Sequence, residues 1–310
     1  MHVMVTDPIH EDGIKLLENE GFKVDLEYGI SHYELKSKIS NYEVLIVRSR
    51  TKVTRDIIYA ANKLKVIGRA GVGLDNIDLK AAEERGIKVL SSPEAPSTAV
   101  AELVFGLILS LIRKIALCDK ALKEGKWIKH EALGFELKGK TLGIIGLGRI
   151  GREVAIRARA FGMKVIYYDI IRPPPEVERD LNVEFVELND LLRSSDIITI
   201  HVPLTPQTKH MISDEEFSLM KNDAILVNTS RGAVVDTKAL LRALRMGKIG
   251  GACLDVFEHE PPSEDWEIEL IRLPNVIATP HIGAMTIEAQ RAASTILARK
   301  IISYLKGKTL

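Results

Sequence analysis

Thr141 to Asp169 reads TLGIIGLGRIGREVAIRARAFGMKVIYYD. A short apolar run leads into Gly146, Gly148 and Gly151 at G-x-G-x-x-G spacing. A helix-like segment follows, and a second apolar run ends in an acid. In a strand-turn-helix context Gly146 makes the tight turn, Gly148 lets backbone approach a pyrophosphate, and Gly151 lets the helix pack on the strand. The helix N-terminus, with unpaired N–H groups and the positive end of its dipole, is then an anion site. Asp169 falls where a carboxylate accepts hydrogen bonds from an adenosine ribose. The stretch predicts a dinucleotide site; the alternative is a tight turn in an α/β domain that binds no nucleotide. Arg149 either adds charge near the pyrophosphate or is simply solvated. A carboxylate at 169 repels a 2′-phosphate and so argues for NAD over NADP, while Arg172 nearby argues the other way.

The 310 residues suit two domains rather than one. Charged residues are 27% of the chain, hydrophobic ones 46%, and the net charge is +1, which excludes a disordered chain and a basic nucleic-acid surface. No nucleic acid and no metal is expected as a partner. Cys118 and Cys253 lie in apolar runs and read as buried thiols in a reducing compartment. MHVMVTDPIHEDG enters a strand pattern at once, so no signal peptide is expected. The most apolar run, Ala99 to Ile112, contains Glu102 and is shorter than the roughly 20 residues that span a bilayer. These features predict a soluble cytoplasmic protein. Scarce glutamine beside abundant Lys, Arg, Glu and Ile is a balance met in thermophile proteins.

Five apolar runs, VMVTD, KVDLEY, VLIVRS, VIGRAG and KVLSS, alternate with helix-period segments over residues 1–95 and predict a parallel sheet covered on both faces. Pro93 and Pro96 break the pattern, and one long helix is expected from Ser97 to Leu122. The segment EGKWIKHEALGFELKGK has no clean period; it reads as an arm against a partner subunit or as a surface loop. Seven further runs begin at Thr141: TLGIIGLG, KVIYYD, VEFV, IITIHVPL, AILVNTS, GACLDVF and VIATP. The final helical pattern, Thr286 to Leu305, has no strand to follow and is expected to cross back onto the first domain. The expected division is 1–95, completed by 286–310, and 96–285.

Ligands in open α/β sheets bind beyond the carboxyl ends of the strands. Three such ends carry unusual polar groups: Asn228-Thr229-Ser230-Arg231-Gly232, Asp255 to Pro261, and Thr279-Pro280-His281-Ile282-Gly283. A guanidinium, a carboxylate and an imidazole at one rim are what hydride transfer from a hydroxy acid needs: a base, a partner for that base, and a fixed cation for carboxylate oxygens. Taken singly, His201, His210 and His259 read as structural, with His201 a possible neighbour of the cofactor. Glu258 is the alternative to Glu260, as an exposed loop carboxylate, and Asp255 has an alternative as a turn cap.

GRAGVGLDN, TLGIIGLGRIGREVA, HVPLTPQT, NTSRGAVVD, LDVFEHEP and TPHIGA, in this order, resemble the D-isomer-specific 2-hydroxyacid dehydrogenases along nearly the whole chain. Within that family the similarity is greatest to members acting on 3-phospho-D-glycerate, in a short form without a C-terminal regulatory domain. The resemblance implies two doubly wound parallel-sheet α/β domains: a flavodoxin-like substrate domain (1–95 with 286–310) and a Rossmann NAD-binding domain (96–285).

Carried over residue by residue, it implies His281 as general acid/base, Glu260 as its carboxylate partner, and Arg231 as the grip on the substrate's carboxylate and carbonyl oxygens. For NAD it implies Gly146, Gly148, Arg149, Ile150, Gly151, Asp169, Val202, Thr229, Ser230, Arg231, Asp255, His281, Gly283 and Ala284, with Ser92 contributed by the first domain. For the substrate it implies Arg48, Arg50, Arg69, Ala70, Gly71, Val72 and Gly73. These roles suit the residue types. A carboxylate favours the charged form of a paired imidazole, and Arg meets a planar carboxylate at two points where Lys does not.

Arg48, Arg50 and Lys52 after the third apolar run suit a phosphorylated acid, since clustered Arg grips a dianion. The alternative is that Arg48 and Arg50 face solvent. The resemblance thus implies NAD-dependent oxidation of 3-phospho-D-glycerate by a homodimer. Glyoxylate or hydroxypyruvate reduction is the rival, and an NAD(H)-sensing corepressor on the same scaffold is a reading from another class.

Overall fold

The computed structural model describes residues 1–307; residues 308–310, the end of the expected first-domain completion, lie outside the described residues. The chain divides into two compact units, Met1–Ser97 with Ala284–Leu310, and Thr98–Gly283.

The first unit holds β1 (His2–Val5), β2 (Lys23–Leu26), β3 (Val44–Val47), β4 (Val66–Arg69) and β5 (Lys88–Ser91). They form a parallel sheet in the order β2-β1-β3-β4-β5. This is the flavodoxin-like order, and its switch point lies between β1 and β3. VLIV of β3 is buried at every residue, as a strand covered on both faces requires, while β2 at the edge has no fully buried residue. One face carries Met4, Leu45, Ile67 and Ile57; the other carries Val3, Val44, Val66 and Leu17. The helix Ile287–Leu305 covers that second face with Leu297 and Ile301, so the final helical segment does pack on the first sheet. Thr286 caps it by accepting from the Ala289 N–H at 3.1 Å.

The second unit holds β6 (Thr141–Ile145), β7 (Lys164–Tyr168), β8 (Glu184–Phe185), β9 (Ile197–Ile200), β10 (Ile225–Asn228), β11 (Gly251–Leu254) and β12 (Val276–Ala278). They pair in parallel in the order β8-β7-β6-β9-β10-β11-β12, the Rossmann order extended by one strand. Strand order reverses between β6 and β9, whose last residues, Ile145 and Ile200, are in register. Alternate residues of the buried strands feed two cores, Leu226 and Leu254 into one and Val227 and Cys253 into the other.

Two expectations are corrected here. The long helix is broken: Ser97–Ile112 and Ile115–Lys123 are separated at Lys114, which adopts a left-handed backbone with φ 53°. Lys114 Nζ donates to the Glu131 carbonyl at 2.7 Å, so the aperiodic segment folds back on the break. Its only regular piece is a single 3₁₀ turn, Lys129–Ala132. Cys118 is only partly buried; Cys253 alone is a core thiol, and burial pushes its pKa up.

Candidate active site

The turn after β6 begins at Gly146, whose φ of +97° suits glycine. A Cβ at Gly151 would lie 2.2 Å from the Gly146 carbonyl oxygen, so the helix Arg149–Ala160 approaches the strand only because position 151 has no side chain. A Cβ at Gly148, in contrast, would meet nothing within 4 Å, and no side chain caps the helix. The first-turn N–H groups of that helix therefore face open space with their dipole, which fits a pyrophosphate. Ile150 packs against the sheet beneath them. Asp169, just past β7, accepts from the Leu147 N–H at 2.8 Å and the Ile171 N–H at 3.1 Å. Those contacts aim the carboxylate at the glycine turn and leave lone pairs for a ribose hydroxyl.

His201 and Thr229 follow the paired ends of β9 and β10. His201 Nε2 lies 2.9 Å from Thr199 Oγ1, whereas its Nδ1 and the Thr229 Oγ1 are buried polar atoms with no partner in the protein. Burial lowers the His201 imidazole to about 3. Two orphaned polar atoms on neighbouring strand ends next to the switch point are a fit for the polar groups of a dinucleotide. Val202 lies beside Gly146 at the same rim.

The loop after β10 is built by Asn228. Its buried side chain accepts from the Ser230 N–H at 3.0 Å and Ser230 Oγ at 2.8 Å, and donates to the Arg231 carbonyl at 2.9 Å. Gly232 then lets this loop sit on the one after β11, since a Cβ there would lie 2.0 Å from the Phe257 carbonyl carbon. Arg231 is thereby held close enough to Glu260 for its charge to act on that carboxylate.

Asp255, 1% exposed, ties the loop after β11 to the loop after β12. It accepts from Thr279 Oγ1 at 2.6 Å, the Ile282 N–H at 2.8 Å and the Gly283 N–H at 2.8 Å. Between those anchors His281 takes a left-handed backbone, φ 52°, a conformation uncommon outside glycine and often met at functional positions. Its Nδ1 lies 2.7 Å from Glu260 Oε2, while Glu260 Oε1 accepts from the Phe257 N–H at 3.2 Å. Burial pulls the Glu260 carboxyl upward; the His281 hydrogen bond and charge, the Phe257 N–H and Arg231 outweigh it, and the net shift is downward. The His281 and Glu260 side chains keep 44% and 39% exposure, so the pair contributes only about 0.2–1 kcal/mol to stability.

Glu258 is not the exposed loop carboxylate of the alternative reading. It accepts from the Thr237 N–H at 3.1 Å and pairs with His210 Nε2 at 3.1 Å. Glu267 is a further residue that shapes this loop. Fully buried, it accepts from the N–H groups of His259, Ser263 and Glu264 at 3.1 to 3.3 Å and so brackets Glu260 on both sides. An acid three residues after Glu264 at a helix start was the available signal.

In the five-stranded unit, buried Asp7 organises the loop after β3. It accepts from the Arg48 N–H at 2.7 Å, the Thr51 N–H and hydroxyl at 3.1 and 2.7 Å, and Arg50 Nε at 3.1 Å. Arg50 also donates to the Thr6 carbonyl at 3.0 Å, and these two contacts orient a guanidinium that keeps 52% exposure. Arg48 is part-buried, its pKa lowered by desolvation against the raising charge of Asp7, with weaker contacts to the Pro8 carbonyl and Met285 Sδ. Ser92 Oγ accepts from the Gly71 N–H at 2.9 Å, and the Arg69 guanidinium folds over Gly71 and donates to the Ala70 carbonyl. Val72, beside Gly73, is 40% exposed. The Ala284 carbonyl accepts from Gln290.

The family description "D-isomer specific 2-hydroxyacid dehydrogenase, NAD binding domain" matches residues 105–283. The hydroxypyruvate reductase of Thermotoga maritima is 50% identical over 98% of this chain and 98% of its own length. The chain belongs to the D-isomer-specific 2-hydroxyacid dehydrogenases. The D-3-phosphoglycerate dehydrogenase of Methanocaldococcus jannaschii is 53% identical over 99% of the chain, which spans 58% of that relative's length. Among solved structures of this family, the D-lactate dehydrogenase of Aquifex aeolicus, complexed with NAD and lactic acid, superposes with a TM-score of 0.86 at 33% identity, covering 99% of this chain and 96% of that one. The seven-stranded unit is thus the family's NAD-binding domain. Among the described residues no helix is long and apolar enough to cross a membrane, and no group of three or more His, Cys, Asp or Glu side chains converges as a metal site.

Proposed function

We propose that the chain oxidises 3-phospho-D-glycerate to 3-phosphohydroxypyruvate with NAD, using His281 as base, Glu260 as its partner and Arg231 as the carboxylate grip. The 2.7 Å contact between His281 Nδ1 and Glu260 Oε2 carries this reading, because it leaves Nε2 as the nitrogen that faces the substrate. His281 Nε2 takes the C2 hydroxyl proton, and the Glu260 carboxylate stabilises the imidazolium that results. Arg231 stays cationic throughout and holds the substrate carboxylate in two-point fashion. NAD, when bound, accepts the hydride that leaves C2. The glycine turn, the open helix N-terminus and Asp169 would hold its adenosine and pyrophosphate, and Val202, Thr229, Ser230, Asp255 and Gly283 would line the rest of its site on this unit; Ser92 and Ala284 are assigned to it from the family resemblance.

Arg48, Arg50 and the Arg69–Gly73 loop bind the phosphorylated end of the substrate in this reading. The 53% identity to a D-3-phosphoglycerate dehydrogenase supports it, while the 50% identity to a hydroxypyruvate reductase over nearly its whole length favours reduction of an unphosphorylated keto acid as the second reading. Comparing kcat/KM for 3-phosphoglycerate with that for glycerate and lactate, and for glyoxylate in the reverse direction, separates them. Faster turnover of the unphosphorylated acids overturns the phosphate assignment. His281→Ala is expected to lose about 10²- to 10⁴-fold in kcat with NAD affinity retained; a variant that keeps its kcat refutes the base assignment. Cofactor-dependent capture of a partner with no turnover would support the corepressor reading.

The homodimer is part of the same proposal. Ile115, Leu122, Trp127 and Leu133 expose 53, 57, 79 and 84% of their surface along one segment, an apolar face that a second copy would cover. Sedimentation equilibrium of wild type against Trp127→Glu tests it.

A further inference from the structure

Arg172 stands three residues past Asp169, the carboxylate aimed at the adenosine ribose in the reading above, on which this inference rests. A guanidinium in that turn is the group that accommodates a ribose 2′-phosphate in NADP-binding relatives of this architecture. Here it is engaged elsewhere. Arg172 Nε donates to Glu178 Oε1 at 2.7 Å and an Nη donates to Glu178 Oε2 at 3.0 Å, a two-point pairing that fixes the plane of the guanidinium. The Tyr167 hydroxyl donates to the same Glu178 Oε1 at 2.5 Å, and the Arg172 guanidinium lies 5.2 Å over the Phe185 ring. The Glu178 side chain is only 14% exposed, whereas that of Arg172 keeps 59%. The acid is therefore the fixed member, seated on the helix Pro175–Leu181, and the cation is the one it holds. Hydrogen bonds from Arg172 and Tyr167 lower the Glu178 carboxyl to about 2, so it stays ionised and keeps its grip at any physiological pH.

We propose that Glu178 is a specificity-determining residue: it turns the preference toward NAD by withholding the Arg172 guanidinium from the place a 2′-phosphate would take. Asp169 supplies repulsion at that place, and Glu178 removes the cation that would counter it. Two acids at the two sides of one turn thus act on the same choice, one by its own charge and one by sequestering a neighbour's.

The test is equilibrium binding of two nucleotide probes, ADP and 2′,5′-ADP, by titration calorimetry on the full chain without substrate. Glu178→Gln is expected to bind 2′,5′-ADP about 10-fold more tightly than wild type, while ADP affinity moves less than about 2-fold. Adding Arg172→Ala to Glu178→Gln is expected to abolish the gain. Equal 2′,5′-ADP affinity in wild type and Glu178→Gln overturns the proposal, since Asp169 alone then decides. A gain that persists without Arg172 overturns it too, because it reports only the loss of one negative charge. Absence of ADP binding by the wild type sinks the nucleotide-site reading and this inference with it. Retained ADP binding also reports that the variant folds; if Glu178→Gln does not, Glu178→Asp, one methylene too short for the two-point pairing, is read in the same way.

Discussion

Asp255→Asn tests the arrangement that fixes His281. The carboxylate is buried on the loop after β11 and accepts three hydrogen bonds from the loop after β12, two of them from backbone N–H groups of the segment that carries His281. Asparagine keeps one oxygen, which still accepts from Thr279 and Ile282, but turns an NH₂ toward the Gly283 N–H. A donor then faces a donor at a spacing of 2.8 Å. Stranding a buried N–H costs about 1–3 kcal/mol, and loss of charge assistance on the other bonds adds about as much again, so the variant should lose about 2–5 kcal/mol. Against a typical 5–15 kcal/mol for a whole domain, this is a large fraction. Both tryptophans of the chain, Trp127 and Trp266, lie in the seven-stranded unit, so denaturant unfolding followed by tryptophan fluorescence reports on the unit that matters. Asp255→Ala, which strands all three donors, should fall further. An Asn variant within about 0.5 kcal/mol of wild type would show that the carboxylate does not clamp these loops.

Gly232→Ala should lose about 1–3 kcal/mol and a larger share of kcat/KM, because the added carbon would meet the Phe257 backbone and push the Arg231 loop away from that of Glu260; unchanged steady-state kinetics would contradict this. His201 is held near pKa 3 by burial. Its unfolded pKa is about 6.5, so between those values only the unfolded chain takes up the proton, and stability falls as pH drops through that window. Urea midpoints of His201→Gln should be flatter than wild type from pH 6.5 downward, and parallel curves would refute it.

The central strands were legible because buried parallel strands are near-continuous apolar runs, and the ends of β10, β11 and β12 could be placed at one rim because ligands of such sheets bind beyond the strands' carboxyl ends. That placement put Arg231, Glu260 and His281 together before any coordinates. The break at Lys114 was invisible, since one left-handed residue leaves the hydrophobic period on either side intact. The pairing of Arg50 with Asp7 joins residues 43 apart, which no local pattern records. Glu267 reads as one more acid of a solvent-facing helix; only the packed loop shows that its carboxylate satisfies backbone donors on both sides of Glu260. The orphaned atoms of His201 and Thr229 exist only once burial is known.

The helix Ile287–Leu305 belongs to a sheet whose five strands are all made first. During synthesis, residues 98–283 intervene, which at about 5–20 residues per second delays the covering of Val3, Val44 and Val66 by on the order of ten to forty seconds. Through that interval the nascent N-terminal sheet offers a bare aliphatic surface to the cell. The later, uninterrupted half can fold on the ribosome as it emerges, and chaperone dependence should therefore concentrate in the half that appears earliest.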